Sequence, residues 1–308
     1  MKENKLDKIK SLKKRNFHIH LTGALKPDDL RKIAKYANVN LSLYEPLENH
    51  MRFDNPLIWG VAKELTSNKQ GLFEAIKAVL NSEIEDNVNY IEITLNPAGM
   101  LRRGMSIKDI TSSIKKALLY GSKKGITCMI KLGVNRRDGP ESIKPVKDVF
   151  LKLPIKSRVC IDLNGNERKY PNLPFIKPFK QLSSEGVPVC IHAGEFFGLE
   201  NSVLEALEMS PKRITHAIAA TKYPDILNKI YKQGVIIETC MTSNKKTGAI
   251  KSFKDYPIKK FLEYKIPVVI GSDDPALFKT NMTKEFKLLS KQISSKTLLK
   301  INNKKLEN

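Results

Sequence analysis

Tryptophan is almost missing from this chain: one in 308 residues, beside five histidines and four cysteines. Such scarcity makes the placement of these side chains informative. Cys128, Cys160, Cys190 and Cys240 form no CxxC pair, which excludes zinc-ribbon and thioredoxin-type motifs. Three of them lie inside apolar runs, so reduced core thiols are expected. No apolar run approaches the roughly 20 residues of a membrane-spanning helix. The start, MKENKLDKIKSLKKRNFHIH, carries charge throughout and lacks the apolar centre of a secretory leader. The expectation is a soluble, cytoplasmic protein with no membrane partner.

Acidic residues are also short, 32 against 54 Lys and Arg, which leaves a net charge of +22. That imbalance raises the question of nucleic acid. The lysines, however, are spread along the whole chain, and lysine outnumbers arginine, the better reader of phosphates and bases. No nucleic-acid motif is present. The charge reads as a solvated surface, with a weaker role in attracting an anionic substrate, and no specific nucleic-acid partner is expected.

Eight short β-branched or apolar runs are there: 16–21, 89–95, 127–134, 158–165, 188–194, 213–217, 235–241 and 266–273. Several are nearly continuous, as strands covered on both faces are. Helical spacing fills the gaps, as in Leu72, Phe73, Ile76, Val79, Leu80 and Ile84. Eight alternations of strand and helix predict a single-domain parallel (β/α)8 barrel, the α/β TIM-barrel class, with an open doubly wound sheet as the runner-up. The first connection, 22–88, is long enough for two or three helices and a lid. Residues 1–15 read as a basic N-terminal segment and 16–308 as one catalytic domain.

In the run NFHIHL, His18 and His20 are two residues apart. On a strand they point to one face. A single buried histidine is usually a hydrogen-bonded core residue. Here His192 and His216 also fall at predicted strand ends, and the eighth strand ends in the pair Asp273–Asp274. The carboxyl ends of barrel strands converge on one face. His18, His20, His192 and Asp273 are therefore candidate ligands of one divalent transition ion.

The stretches HIHLTGA (18–24), YIEITLNP (90–97), IDLNGNE (161–167), HAGE (192–195), RITHAI (213–218), CMTSNKKTGA (240–249) and PVVIGSDDPALF (267–278) together resemble the adenosine deaminase family of metal-dependent amidohydrolases. The resemblance spans about residues 16 to 300. It implies hydrolytic deamination of a 6-aminopurine nucleoside at carbon 6, giving the 6-oxo product and ammonia, with a purine nucleoside as the small-molecule partner. The implied cofactor is one zinc ion; the donor set alone leaves iron, cobalt and manganese open. Glu195 matches the acid that protonates ring nitrogen N1. His216 matches the residue that orients the attacking water and takes its proton. Asp274 matches the group bonding purine N7, although an Asp before Pro275 also reads as a helix N-cap. Gly165 matches the glycine whose N–H faces N3. Ser243 and Asn244 read as structural groups near the site, and His50 as ordinary. The HxE/PCxxC signature of deaminases acting on bases within nucleic acid is absent.

One position departs from the pattern. Where the family commonly has an aspartate bonding the ribose 5′-hydroxyl, this chain has Thr22. A hydroxyl there removes negative charge, so 5′-modified or phosphorylated substrates, such as methylthioadenosine or an N6-substituted AMP, are alternatives to adenosine, as is free adenine. A non-catalytic nucleoside- or RNA-binding barrel is the remaining reading, disfavoured because every chemical position is filled. Phe53, Leu57 and Trp59 fall where the family carries an apolar gate over the sugar. The sequence leaves the oligomeric state open.

Overall fold

The computed structural model describes residues 5–304. Eight strands follow in chain order: β1 Lys14–His20, β2 Val88–Leu95, β3 Thr127–Asn135, β4 Arg158–Asn164, β5 Val189–Ala193, β6 Arg213–His216, β7 Ile236–Thr239 and β8 Val268–Ile270. Each pairs in parallel with the next. The seam between last and first is made just past β8. Ser272 and Asp273 each donate a backbone N–H to His18 O at 3.0 Å, and His20 N donates to Asp273 O at 2.9 Å. Gly271 permits this approach, since a Cβ there would sit 2.7 Å from His18 O. The barrel expected from the alternating pattern is the fold observed.

Outward-facing Ile91, Ile93, Ile130, Leu132, Ile161, Leu163, Ile191 and Ile237 are fully buried under the surrounding helices. The inner face is not apolar throughout. Glu92, Lys131, Arg213 and Glu238 meet in the barrel interior, all almost completely buried. Arg213 bonds Glu92 at 2.5 Å and Glu238 at 3.2 Å, while Lys131 lies 3.2 Å from Glu92 and also bonds Glu238. Two cations balance two carboxylates, which is what makes their burial tolerable.

Below that layer lies a small apolar cluster of Met129, Val159, Cys160 and Cys190, packed against Tyr90. Cys160 and Cys190 form a disulfide there, with Cα atoms 6.1 Å apart. This corrects the expectation of reduced thiols at these two positions. Thirty residues separate the two cysteines in the chain, but β4 and β5 are neighbours and bring the side chains to bonding range. Cys128 and Cys240 are free and buried.

The first connection holds helices at Pro27–Ala37, Pro56–Leu65 and Lys69–Glu85. Proline opens the first two, where its missing N–H costs no helical bond. Asn55 caps the second by accepting from Leu57 N at 3.0 Å. Among the described residues no helix is long and apolar enough to cross a membrane.

Candidate active site

A bulge in β1 sets the first two imidazoles. Asn16 and Ile19 pair with Ile91 and Ile93, so β1 takes three steps where β2 takes two. Phe17 then packs its ring 5.3 Å from that of Tyr90, while His18 reaches into the barrel. His18 Nδ1 bonds Glu238 Oε2 at 2.7 Å, and His192 Nδ1 bonds Asp162 Oδ1 at 3.1 Å. A carboxylate partner holds the proton on Nδ1 and leaves Nε2 free to meet a cation.

The free nitrogens converge. His18 Nε2 and His20 Nε2 are 3.2 Å apart, and His20 Nε2 and His192 Nε2 3.3 Å. Asp273 Oδ1 lies 3.4 Å from His20 Nε2 and 3.7 Å from His18 Nε2. A tetrahedron with bonds of about 2.0–2.1 Å has edges of roughly 3.3–3.4 Å. The spacing and the three-imidazole, one-carboxylate donor set both fit zinc. Burial works to raise the Asp273 pKa, but the His18 hydrogen bond and charge, with His20, hold it well below the carboxylate range. Asp273 has φ +63°, an unusual left-handed conformation for a non-glycine residue, and its backbone bonds at the seam stabilise it.

Glu195 lies just past β5, and its carboxyl pKa is raised to about 7, first by burial and then by the Asp273 charge. Its Oε1 accepts from Thr247 Oγ1 at 2.8 Å and from Asn244 Nδ2 at 3.3 Å. The turn bearing it is pinned by Glu167, which accepts from Gly194 N at 2.9 Å, Glu195 N at 2.8 Å and Ser202 Oγ at 2.6 Å. Buried Arg136 clamps the same turn through His192 O at 2.5 Å and Asn172 Oδ1 at 2.6 Å.

His216 Nε2 is 4.0 Å from Glu195 Oε2, and its Nδ1 lies 3.0 Å from Asn244 Nδ2. With that amide donating, Nδ1 accepts and Nε2 carries the proton. Burial lowers the His216 pKa and keeps the ring neutral. His216 and Ala217 both have positive φ, 74° and 52°, a strained exit from β6 that aims the imidazole at the mouth.

Asp274 makes no capping bond to the short helix Pro275–Phe278, so the N-cap alternative is not what this side chain does. Its Oδ1 is buried without a partner. Burial and the adjacent Asp273 charge push its pKa well above the ordinary value. Gly165, at the end of β4, has φ +97°. Thr22 is half-buried in the 3-10 turn directly after β1.

Phe53 stacks obliquely on Phe278, 5.3 Å between centroids, and meets Trp59 edge-on at 6.0 Å. Trp59 Nε1 donates to Phe53 O at 2.9 Å. The expected gate residues Phe53 and Trp59 thus join the segment that carries Asp274, while Leu57 is half-buried on the helix beside them. His50 bonds Asn55 at 3.2 Å and stays outside the cluster.

Glu238, Asp162, Glu167, Arg136 and Thr247 belong to this assembly and were not anticipated. For Glu238 and Asp162 a signal existed. Each is a carboxylate interrupting an apolar strand run, which in a barrel means an inward, paired charge.

The adenosine deaminase family model matches residues 13–305. The chain belongs to the adenosine deaminase family. It is a hydrolase acting on carbon–nitrogen bonds, and the donor set of His18, His20, His192 and Asp273 fits a single zinc ion. The adenosine deaminase of Enterococcus faecalis is 27% identical over 293 residues, covering 92% of this chain and 87% of that protein. The N6-methyl-AMP deaminase of Arabidopsis thaliana superposes with a TM-score of 0.83 at 20% identity, covering 96% of this chain and 91% of that one. A Burkholderia ambifaria amidohydrolase solved with bound Zn superposes at 0.82 with 18% identity, covering 97% and 86%. At these identities the two structures speak to the fold.

Proposed function

We propose that this adenosine deaminase family member hydrolyses a 6-aminopurine nucleoside of the adenosine type to its 6-oxo product and ammonia. His18, His20, His192 and Asp273 are the residues that would hold zinc, which when bound supplies a nucleophilic water at neutral pH. Asp274 hydrogen-bonds purine N7, and the Gly165 N–H faces N3. Glu195 gives its proton to N1 as water adds at carbon 6. The neutral His216 ring orients that water. Loss of the amino group as ammonia then balances the reaction: the water oxygen becomes the 6-oxo group, one of its protons leaves on the amino nitrogen, and the other restores the Glu195 carboxyl in place of the proton given to N1.

The observation that carries this reading is the placement of a buried carboxyl, Glu195, at the turn that follows the candidate ligand His192, facing His216 at 4.0 Å, with its pKa raised to about 7. A general acid is effective when its pKa lies near the working pH. The test is ammonia release from adenosine, with and without a zinc chelator. Glu195→Gln is expected to retain zinc and lose turnover by about 10²–10⁴-fold. Full activity in that variant would remove Glu195 from the reaction.

A further inference from the structure

Behind Glu195 and His216 stand two side chains from one short helix, Met241–Lys246, which follows β7. Asn244 lies on it and Thr247 closes it, three residues apart and so on one side. The start of this helix is held from the far side by buried Glu285, which accepts from Thr242 N at 3.2 Å and from Thr280 Oγ1 at 2.6 Å. Asn244 N donates to Cys240 O at 3.0 Å and Thr247 N to Ser243 O at 2.8 Å. Both side chains therefore start from a fixed backbone.

A carboxyl proton and an imidazole proton each have two atoms on which to sit. Glu195 Oε1 already takes two donors, Thr247 Oγ1 at 2.8 Å and Asn244 Nδ2 at 3.3 Å. An oxygen whose lone pairs are both engaged is a poor seat for a proton, which leaves Oε2, 4.0 Å from His216 Nε2. The other N–H of the same amide meets His216 Nδ1 at 3.0 Å, which leaves the ring proton to Nε2. Asn244 is fully buried, and its Oδ1 has no partner. Turned over, the amide would bury two N–H hydrogens without acceptors, and an orphaned N–H is the rarer defect. With Nδ1 engaged and Nε2 protonated, His216 meets the attacking water as a hydrogen-bond donor.

We propose that Asn244 and Thr247 are positioning residues that place the Glu195 proton on Oε2 and the His216 proton on Nε2, so that acid and ring both present a hydrogen away from the helix. The roles of Glu195 and His216 here are those of the deaminase reading above. Asn244 and Thr247 act through these two residues and touch no reacting atom.

The tautomer can be read without turnover, from nitrogen–proton correlation spectra of the imidazoles in the zinc-loaded protein, the His216 signal being the one absent in His216→Gln. The wild-type ring is expected to be neutral with its hydrogen on Nε2. Asn244→Asp keeps the shape but has no N–H to give, and its carboxylate should draw the hydrogen to Nδ1. A wild-type ring protonated on Nδ1, or a tautomer indifferent to Asn244→Asp, overturns the placement. Turnover tests the acid. Thr247→Val, of the same shape, should lower kcat for adenosine by about tenfold or more with KM moved less than about threefold, and Thr247→Ser should restore it. In a Glu195→Gln background, where there is no carboxyl proton to place, the valine should change residual kcat by less than about threefold. Full kcat in Thr247→Val, or an equal loss with and without Glu195, overturns the role of Thr247. If the wild type releases no ammonia from adenosine, the deaminase reading falls and the His216 tautomer alone decides the placement.

Discussion

The proton on Nδ1 of an imidazole decides which nitrogen can meet a cation, and Glu238 makes that decision for His18. Glu238 is itself fixed by Lys131, Arg213 and Thr215 Oγ1, the last at 2.9 Å. Burial opposes its ionisation, yet the charges of Lys131, His18 and Arg213 hold its pKa far below the ordinary value. Glu238→Gln keeps the shape and removes the charge, leaving Glu92 alone against two buried cations. Zinc affinity, measured by competition with a chromophoric chelator, is expected to fall by about 10–100-fold, the usual consequence of losing a carboxylate behind a ligand histidine. An unchanged affinity would mean that Glu238 serves only the ion layer. Glu195 makes a separate prediction through pH. Its pKa is raised to about 7, and in the proposed reaction the protonated form is the active one. Activity is therefore present below that value and lost as pH rises through it. A plot of log kcat/KM against pH should bend downward near pH 7 with a slope approaching −1, and the residual activity of Glu195→Gln should lack that bend.

The strand runs were legible because β1 to β8 are short and apolar on the outward face, each closed by a turn. Their ends were less so. The run 266–273 reads as one strand, but the ladder stops at Ile270, because Gly271 to Asp273 turn to close the seam. The bulge in β1 left no mark in the order NFHIH, since it follows from how β2 lies alongside. That bulge leaves Asn16 facing the helix Lys69–Glu85, where Asn16 Nδ2 donates to Glu83 Oε2 at 3.0 Å and to Ser272 Oγ at 2.8 Å. Glu83 is buried, and burial raises its pKa from 4.5 to about 7. Between those values the folded state binds more protons than the unfolded one, so stability falls as pH rises. The window runs from about pH 4.5 to pH 7, and the loss from this group is on the order of 3 kcal/mol. Urea unfolding of wild type and Glu83→Gln at pH 5 and pH 8 checks it: the variant should gain relative stability at pH 8 and little at pH 5. Parallel curves for the two proteins would show that Glu83 ionises freely in the fold.

Across the whole molecule the candidate ligands come from the beginning, middle and end of the chain, and the convergence of strand ends made that set readable without coordinates. What could not be read was the support beneath it. The pairing of Glu92, Lys131, Arg213 and Glu238 depends on depth inside the barrel, and the Cys160–Cys190 bond depends on strand adjacency; neither is a property of sequence spacing. The same closure has an energetic consequence. His18 and His20 sit on β1, Asp273 just past β8, and the seam joining them consists of a few backbone bonds around His18 O and Asp273 O. An ion held by both sides ties the barrel shut where its sheet is thinnest. A ligand present at about a thousand times its Kd stabilises the folded state by roughly 4 kcal/mol. For a chain of this size, that shifts Tm on the order of 6 °C. Stripping the zinc should therefore lower Tm by about that amount, and the lost protection from amide hydrogen exchange should concentrate at β1 and residues 268–274 rather than at β3 and β4. Uniform loss of protection around the barrel, or a Tm indifferent to chelation, would show that the seam closes without the ion.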